Sequence, residues 1–203
     1  MRPENHGPVK IPGVSSWPES PFRLISDTGA NTKAGLPKDH YCVKNARIMA
    51  MTHNTFFRAL NAIYHQAPLI VPGTQDAVDF LAYCGVAYDF IHHHQITEEL
   101  HYFPEIERVA KIPGLMETNV LQHQLMDAGL EKFRRYAETT HKDAYNGEEL
   151  RSIIDGFAVA FEEHNHAEID TILSLHDKID SDVLKDIEQR MRDLAEKHSD
   201  IFK

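Results

Sequence analysis

Two copies of one short pattern, His-x-x-x-Glu, restrict what this chain can fold into. His94 and Glu98 form the first pair, and the second pair consists of His164 and Glu168. Residues four apart lie one above the other on the same face of an α-helix, so each pair presents an imidazole and a carboxylate together. The residues that share the face of the first pair are Tyr83, Ala87, Phe90 and Ile91. Because they are mostly apolar, this face is predicted to point into a core.

An imidazole and a carboxylate inside an apolar core require an explanation. A buried charge is tolerated when it is paired or when it binds a metal ion. Two such pairs on two long helical stretches therefore predict a two-metal site inside a helix bundle.

The apolar spacing along the chain predicts four long helices and a shorter fifth. They are expected at about 39–66, 74–104, 115–136, 148–175 and 182–197. Thr74 is expected to cap the second helix, and Pro104 is expected to end it. No strand pattern is present in the sequence. Long helices joined by short connections favour an all-α, up-down-up-down four-helix bundle.

The chain divides by composition into three parts. Residues 1–38 hold six of the ten prolines and are predicted to form an irregular N-terminal strap, held on the bundle by apolar residues. The residues expected to hold it are Trp17, Pro21, Phe22, Leu24 and Ile25. Disorder is the alternative for residues 1–15. Residues 39–178 are predicted to form the metal-binding bundle, and residues 179–203 an amphipathic C-terminal helix packed on it.

Composition limits the classes of function. The charged and apolar fractions, 26% and 42%, are those of an ordinary globular protein of one domain. A net charge of −10 argues against nucleic acid or an anionic membrane surface as a partner. No run approaches the length of a membrane span, and the two cysteines, Cys42 and Cys84, make no disulfide framework. These features favour a cytoplasmic protein with no membrane segment. We expect it to be a monomer or a homodimer.

Fourteen histidines are an unusual number, and four of them lie on the inward stripes of the four long helices. The candidate metal ligands are His53, His94, Glu98, His123, His164 and Glu168. Imidazole with bridging carboxylate suits a pair of iron or manganese ions, and zinc is also possible. Two six-coordinate ions offer roughly twelve positions, of which these side chains and a bridging oxo or hydroxo group fill about ten. About two positions are then left for dioxygen or a substrate.

These residues resemble the hemerythrin-like, HHE cation-binding domain, and most of all its fungal members. The matching segments are Met51-Thr-His53-Asn-Thr-Phe-Phe-Arg, His94-Gln-Ile-Thr-Glu98-Glu-Leu-His-Tyr-Phe-Pro104, Leu121-Gln-His123-Gln-Leu-Met and Glu163-His164-Asn-His-Ala-Glu168-Ile. They occur in the family's order over about residues 45–175. The resemblance implies a four-helix bundle with an oxo- or hydroxo-bridged non-haem diiron site that handles dioxygen.

Two positions depart from the oxygen-carrying members of that family. Those proteins have His-x-x-x-His on the third helix, whereas here His123 is alone, with Asn119 four residues before it and Asp127 four after. They also end the fourth-helix motif as His-x-x-x-x-Asp, whereas this chain has His164-x-x-x-Glu168. Asp127 could serve as a further ligand. More carboxylate and fewer imidazoles disfavour reversible oxygen carriage and favour reactivity of the oxidase or peroxidase type.

Other residues are predicted to surround the ligands. His101 could be an additional ligand, an outer partner of a ligand, or a residue at the rim of the bundle. Tyr102 could hydrogen-bond to the site, and Glu99 and Glu163 are expected at the surface or just outside the ligands. The residues Met49, Phe57, Phe90, Met126 and Phe161 are expected to pack in the core, where they could also line an apolar pocket for dioxygen.

The sequence therefore supports more than one functional hypothesis. The first is a diiron protein that binds and activates dioxygen, as an oxidase or oxygenase acting on a small organic substrate. The second is a non-catalytic protein that stores or senses iron, dioxygen or nitric oxide, and the third is a zinc-containing scaffold. A substrate-sized cavity beside the metals would favour the enzyme, whereas a sealed site would favour the binder.

Overall fold

The computed structural model of the protein describes residues 20–198, with side chains described to residue 194. Throughout these residues the regular structure is helical, without strands. The helices are α1 (Tyr41–Gln66), α2 (Gln75–Thr97), α3 (Phe103–Ala110), α4 (Glu117–Thr139), α5 (Gly147–Leu173) and α6 (Ser181–His198). A π-helical turn, Glu98–Tyr102, joins α2 to α3.

Four of these helices form the bundle. α1 packs against α2 and α5, and α4 also packs against α2 and α5, so the four close into a ring. Short connections join α1 to α2 and α4 to α5, whereas α2 reaches α4 through the π-turn and α3. Successive members of the bundle run in alternating directions. The prediction of an all-α bundle is confirmed. α6 packs on the outside of α1, where Leu184 and Ile187 are fully buried.

Side-chain caps explain where two of the bundle helices begin. The hydroxyl of Thr74 accepts a hydrogen bond from the N–H of Ala77 at 3.4 Å, as the sequence predicts. The side chain of Asn146 accepts from the N–H groups of Glu148 and Glu149 at 3.0 and 3.2 Å. Such caps satisfy N–H groups that have no partner within the first turn of a helix.

The second predicted helix does not end at Pro104. The helical path continues through the π-turn into α3 and ends at Ala110. In the π-turn the N–H of Phe103 bonds to the carbonyl of Glu98, five residues earlier. Pro104 lies in the first turn of α3, where a missing N–H disrupts little. A proline at this position therefore begins a helical segment instead of ending one.

The apolar pattern of α2 predicts burial of Tyr83 and Phe90, and at these two residues the prediction is wrong. Tyr83 and Phe90 are 44% and 42% exposed, although Ala87 and Ile91 are buried as predicted. α2 has a neighbour on each of two sides, α1 and α4, and its buried stripe follows those contacts. Tyr83 and Phe90 lie on the flank of this stripe that faces solvent.

The described part of the strap, residues 20–38, lies against α1 and α5. The ring of Phe22 is buried, stacked on Phe57 and edge-on to Phe161, with both centroids 5.9 Å away. The side chain of Asn61 bonds to the N–H and the carbonyl of Phe22 at 2.8 and 2.9 Å. Trp17 lies outside the described residues. Within residues 20–198, no helix combines the length and the apolar character needed to cross a membrane.

Candidate metal centre

Six side chains from the four bundle helices converge in the middle of the bundle. α1 contributes His53, α2 with its π-turn contributes His94 and Glu98, α4 contributes His123, and α5 contributes His164 and Glu168. Five of the six are buried, and the side chain of His94 is 18% exposed. These are the six residues that the sequence predicts as metal ligands.

The first group of ligand atoms contains His53, His94, Glu98 and Glu168. The Nε2 atoms of His53 and His94 are 3.3 Å apart. His94 Nε2 lies 3.0 Å from Oε1 of Glu98, and His53 Nε2 lies 3.2 Å from Oε2 of Glu168. Two ligand atoms that bind one ion at about 2.1 Å and at a right angle are about 3.0 Å apart. The spacing in this group therefore suits a bound metal ion.

The second group contains His123 and His164, together with Glu98 again. The Nε2 atoms of the two imidazoles are 2.9 Å apart. Oε2 of Glu98 lies 3.7 Å from His123 Nε2, so the two carboxylate oxygens of Glu98 face different groups. Oε2 of Glu168 lies between the groups as well, 3.9 Å from His164 Nε2. Both carboxylates therefore have positions suited to bridging two ions.

Hydrogen bonds at Nδ1, the ring nitrogen that points away from the centre, fix the orientation of three imidazoles and so the direction of their Nε2 atoms. Nδ1 of His53 lies 2.8 Å from the carbonyl of Asn165, and Nδ1 of His123 lies 2.7 Å from Oε1 of Glu99. Because these oxygens only accept hydrogen bonds, each Nδ1 carries the proton and donates it. The Nε2 lone pairs then point into the centre, as metal ligation requires. Nδ1 of His164 lies 3.3 Å from Oε1 of Gln122, in the same arrangement.

The electrostatics of the centre also suit a cation. Burial lowers the pKa of His94 to about 4 and that of His164 to about 3, so these imidazoles are neutral at pH 7. Burial, with the adjacent Glu168, raises the pKa of the Glu98 carboxyl. Burial also acts to raise the pKa of Glu168, but the adjacent imidazole of His53, whose Nε2 lies 3.2 Å from Oε2 of Glu168, outweighs burial and lowers this pKa. None of the four carboxylate oxygens of Glu98 and Glu168 has a hydrogen-bond partner among the described residues. Lone pairs turned towards each other in this way fit a bound cation.

The remaining predicted site residues lie outside the two groups. Asp127 is exposed and lines a surface pocket of about 250 Å³ together with Glu99. His101 is exposed near Leu194 of α6. Tyr102 is buried, and its hydroxyl accepts a hydrogen bond from Nδ2 of Asn45 at 2.6 Å. Ligation by Asp127 or His101 stays a prediction.

Aromatic rings cover the centre, and two of them are not among the predicted lining residues. The ring of Phe56 lies 5.1 Å from that of His94, and Phe103 lies 5.8 Å from His123. Phe56 follows His53 by three residues, a spacing that could have identified it. The predicted residues that are buried are Met49, Phe57, Met126 and Phe161. Phe90 is partly exposed but packs on Phe56, 5.1 Å away.

None of the six converging side chains lines any of five prominent surface cavities of the described residues. The largest is a groove of about 960 Å³ between the strap and α5. Gln122, whose side chain contacts His164, forms part of its wall. The groove therefore approaches the centre from behind His164.

A buried histidine and carboxylate cluster inside a four-helix bundle defines a class of metal-binding helical proteins. The family model of the hemerythrin HHE cation binding domain matches residues 45–176. The chain belongs to this family, and the family resemblance seen in the sequence is confirmed.

A curated fungal protein is also similar to this chain. It is the dimeric xanthone biosynthesis cluster protein R11 of Cryptosporiopsis sp. (strain 8999), which is 38% identical over 136 residues. The match covers 67% of this chain and 52% of that protein, so the chain spans about half the length of this relative. A search of solved structures gave no match.

Proposed function

We propose that this protein holds two iron ions in the bundle and uses them to bind and activate dioxygen. The observation that carries the proposal is the position of Glu98, whose two oxygens face two separate pairs of histidines. One pair is His53 with His94, and the other is His123 with His164. A single carboxylate between two imidazole pairs is the arrangement expected for two ions that share a bridge. Mixed imidazole and carboxylate ligation suits iron, and also manganese or zinc.

The protein's own residues prepare this centre in three ways. The Nε2 atoms of the four histidines and the oxygens of Glu98 and Glu168 would hold the ions. The outer hydrogen bonds to Asn165, Glu99 and Gln122 fix three of the imidazoles in the orientation that ligation needs. The rings of Phe56 and Phe103 limit the access of water. Two iron ions bound here would supply the electrons that reduce dioxygen.

An organic substrate fits the groove behind His164 better than it fits the centre. The groove has an apolar floor that includes Phe22 and Ile169, and a polar rim that includes Glu162 and Arg23. A molecule bound there would be separated from the nearer ion by the side chains of Gln122 and His164, a short path for electron transfer. The relative's name refers to a biosynthesis cluster, which favours a role in making a small organic molecule. We therefore propose an oxidase type of reaction for a substrate in the groove; an oxygenase reaction would require the substrate to bind beside the ions.

A second candidate is a non-catalytic protein that stores iron or senses dioxygen or nitric oxide. It is favoured by the burial of the centre, since none of the five cavities borders the six side chains. A diatomic gas needs less space than an organic molecule and could reach a centre of this kind through small fluctuations.

Iron loading without air, followed by metal analysis, tests the proposal. The wild type should hold two irons per chain, whereas His94→Ala and Glu168→Ala should hold fewer and should loosen the bundle. His65→Ala is a matched control, because His65 is exposed and bonds to Ser20. Retention of two irons by both variants would refute the ligand assignment, and binding of zinc but not iron would refute the diiron proposal.

Dioxygen uptake by the iron-loaded protein separates the two candidates. An oxidase should consume dioxygen repeatedly when a reductant or an organic substrate is supplied. A sensor or carrier should take up at most one dioxygen per pair of irons and release it, or nitric oxide, when the gas is removed.

A further inference from the structure

Asn119 is a buried polar residue that the six converging side chains leave unexplained. It is 1% exposed, and neither Oδ1 nor Nδ2 of its side chain has a hydrogen-bond partner within residues 20–198. Two other buried asparagines are bonded: Asn61 holds the backbone of Phe22, and Asn165 donates to the carbonyl of Phe161 at 2.7 Å. Gln95 is also buried and lacks a partner for Nε2 among the described residues, whereas in Asn119 both polar atoms are unpaired. A buried amide without partners lowers stability. Asn119 therefore indicates that something else binds there.

The bundle places Asn119 at the level of the two carboxylates. On α2 and α5, which run in the same direction, Glu98 and Glu168 follow their histidines by four residues. α4 runs in the opposite direction, so the same level is reached four residues before His123, at Asn119. Residues four apart on a helix have Cβ atoms about 5–6 Å apart on one face. Asn119 is therefore on the face of α4 that carries His123, beside the carboxylates.

We propose that the Asn119 carboxamide binds the hydroxyl group of a small ligand beside the ion position formed by His123 and His164. A carboxamide offers N–H donors and a carbonyl acceptor, and in Asn119 both are unpaired. A hydroxyl group can satisfy both at once, because it accepts and donates. A simple anion would satisfy only the N–H groups, and it would be repelled by Glu98 and Glu168. Water and the hydroxyl of a small phenol share this chemistry. The inference rests on the proposed metal centre.

Manganese-loaded protein tests the inference through the relaxation of solvent-water protons, which Mn²⁺ accelerates when water exchanges beside it. Asn119→Leu should keep the metal content of the wild type but lower the relaxation rate at least twofold if the ligand is water. Phenol, titrated into the wild type, distinguishes the other source. If the ligand is a phenolic hydroxyl, phenol should bind the wild type and should bind Asn119→Leu at least tenfold more weakly. If Asn119→Leu leaves both the relaxation rate and phenol binding unchanged, the inference is wrong.

Asn119→His tests the position of the residue independently of the ligand. An imidazole at this place in α4 should reach the ion and raise the affinity for Mn²⁺ about tenfold, by analogy with the other side-chain pairs four residues apart. An unchanged affinity would show that position 119 does not reach the centre, and it would overturn the inference.

A readout that needs no metal separates this inference from the proposed function. In the metal-free protein, Asn119→Leu should not lower Tm, because the amide has no partner to lose. Asn61→Leu is the matched control: it replaces an equally buried amide that holds the strap, so it should lower Tm and leave the relaxation rate of the Mn²⁺-loaded protein unchanged. A lower Tm for metal-free Asn119→Leu would overturn the inference even if the protein binds two metals. Failure of the wild type to bind metal would instead overturn the proposed function, and this inference with it.

Discussion

Glu98→Gln should change the stability of the metal-free and the metal-loaded protein in opposite directions. In the metal-free protein, both oxygens of Glu98 are buried without hydrogen-bond partners among the described residues. Leaving a buried polar group unpaired costs about 1–3 kcal/mol, and more when it is charged. Glutamine has nearly the same shape without the charge, so it should raise the free energy of unfolding by about 1–2 kcal/mol. For a chain of this length, Tm should rise by roughly 2–8 °C.

The metal-loaded protein should respond in the other direction. A ligand present at a hundred times its Kd stabilises the folded state by about 2.7 kcal/mol. Each tenfold loss of affinity removes about 1.4 kcal/mol of this effect, or roughly 3–6 °C in Tm. Because Glu98 faces both histidine pairs, its substitution should weaken both ion positions.

Thermal unfolding followed by circular dichroism, with chelator and with added Fe²⁺ under nitrogen, measures both effects. The matched control is Glu188→Gln, because Glu188 is also buried but accepts a hydrogen bond from Tyr41 at 2.8 Å. The control should lower Tm with chelator and leave the metal-induced increase unchanged. If Glu98→Gln lowers Tm with chelator, or keeps the full metal-induced increase, the assignment of Glu98 as a bridging ligand is refuted.

Three further predictions concern the strap, an outer hydrogen bond and the cysteines. Phe22→Ala should lower the free energy of unfolding by about 3–5 kcal/mol in urea titrations, because it leaves a cavity under the strap; a loss below 1 kcal/mol would mean that the strap contributes little. Glu99→Ala should weaken metal binding about 10- to 100-fold in competition titrations, since it removes the hydrogen-bond acceptor of a ligand imidazole, whereas the exposed Glu163→Ala should not. Burial raises the pKa of Cys84 to about 12 and also raises that of Cys42. A thiol reacts as its thiolate, so mass spectrometry should find both cysteines unmodified by iodoacetamide at pH 8 in the native protein and modified in denaturant; labelling of native Cys84 would contradict its burial.

The sequence could predict the convergence of six side chains because helical spacing determines which residues share a face. Within one helical segment, spacing alone places His94 and Glu98 on a common face, and it does the same for His164 and Glu168. Their meeting with His53 also depends on the order of helices in the bundle, which the short connections favour.

Spacing alone could not predict which flank of a helix faces solvent. Tyr83 and Phe90 belong to the apolar pattern of α2, yet they are partly exposed because α1 and α4 cover other parts of that helix. The sequence predicts Glu99 at the surface or just outside the ligands, and there it bonds to His123, but the outer partners of His53 and His164 could not be predicted. The partner of His53 is the backbone carbonyl of Asn165. Because every residue has a backbone carbonyl, the residue type does not indicate this role. Gln122 lies on α4 and contacts His164 on α5, so its role as an outer partner becomes evident only from the packing of the two helices.

The π-turn has a consequence for insertions and deletions in this family member. A regular α-helix advances about 100° per residue, so a deletion between His164 and Glu168 would rotate these two side chains out of phase. The wide turn at Glu98–Tyr102 contains one residue more than an α-helical turn needs. Loss of the exposed Leu100 could convert it into ordinary helix and keep Phe103 on the face of Glu98. Along the ligand-bearing helices of residues 20–198, this π-turn is the only place where the chain can lose one residue and keep its helical phase.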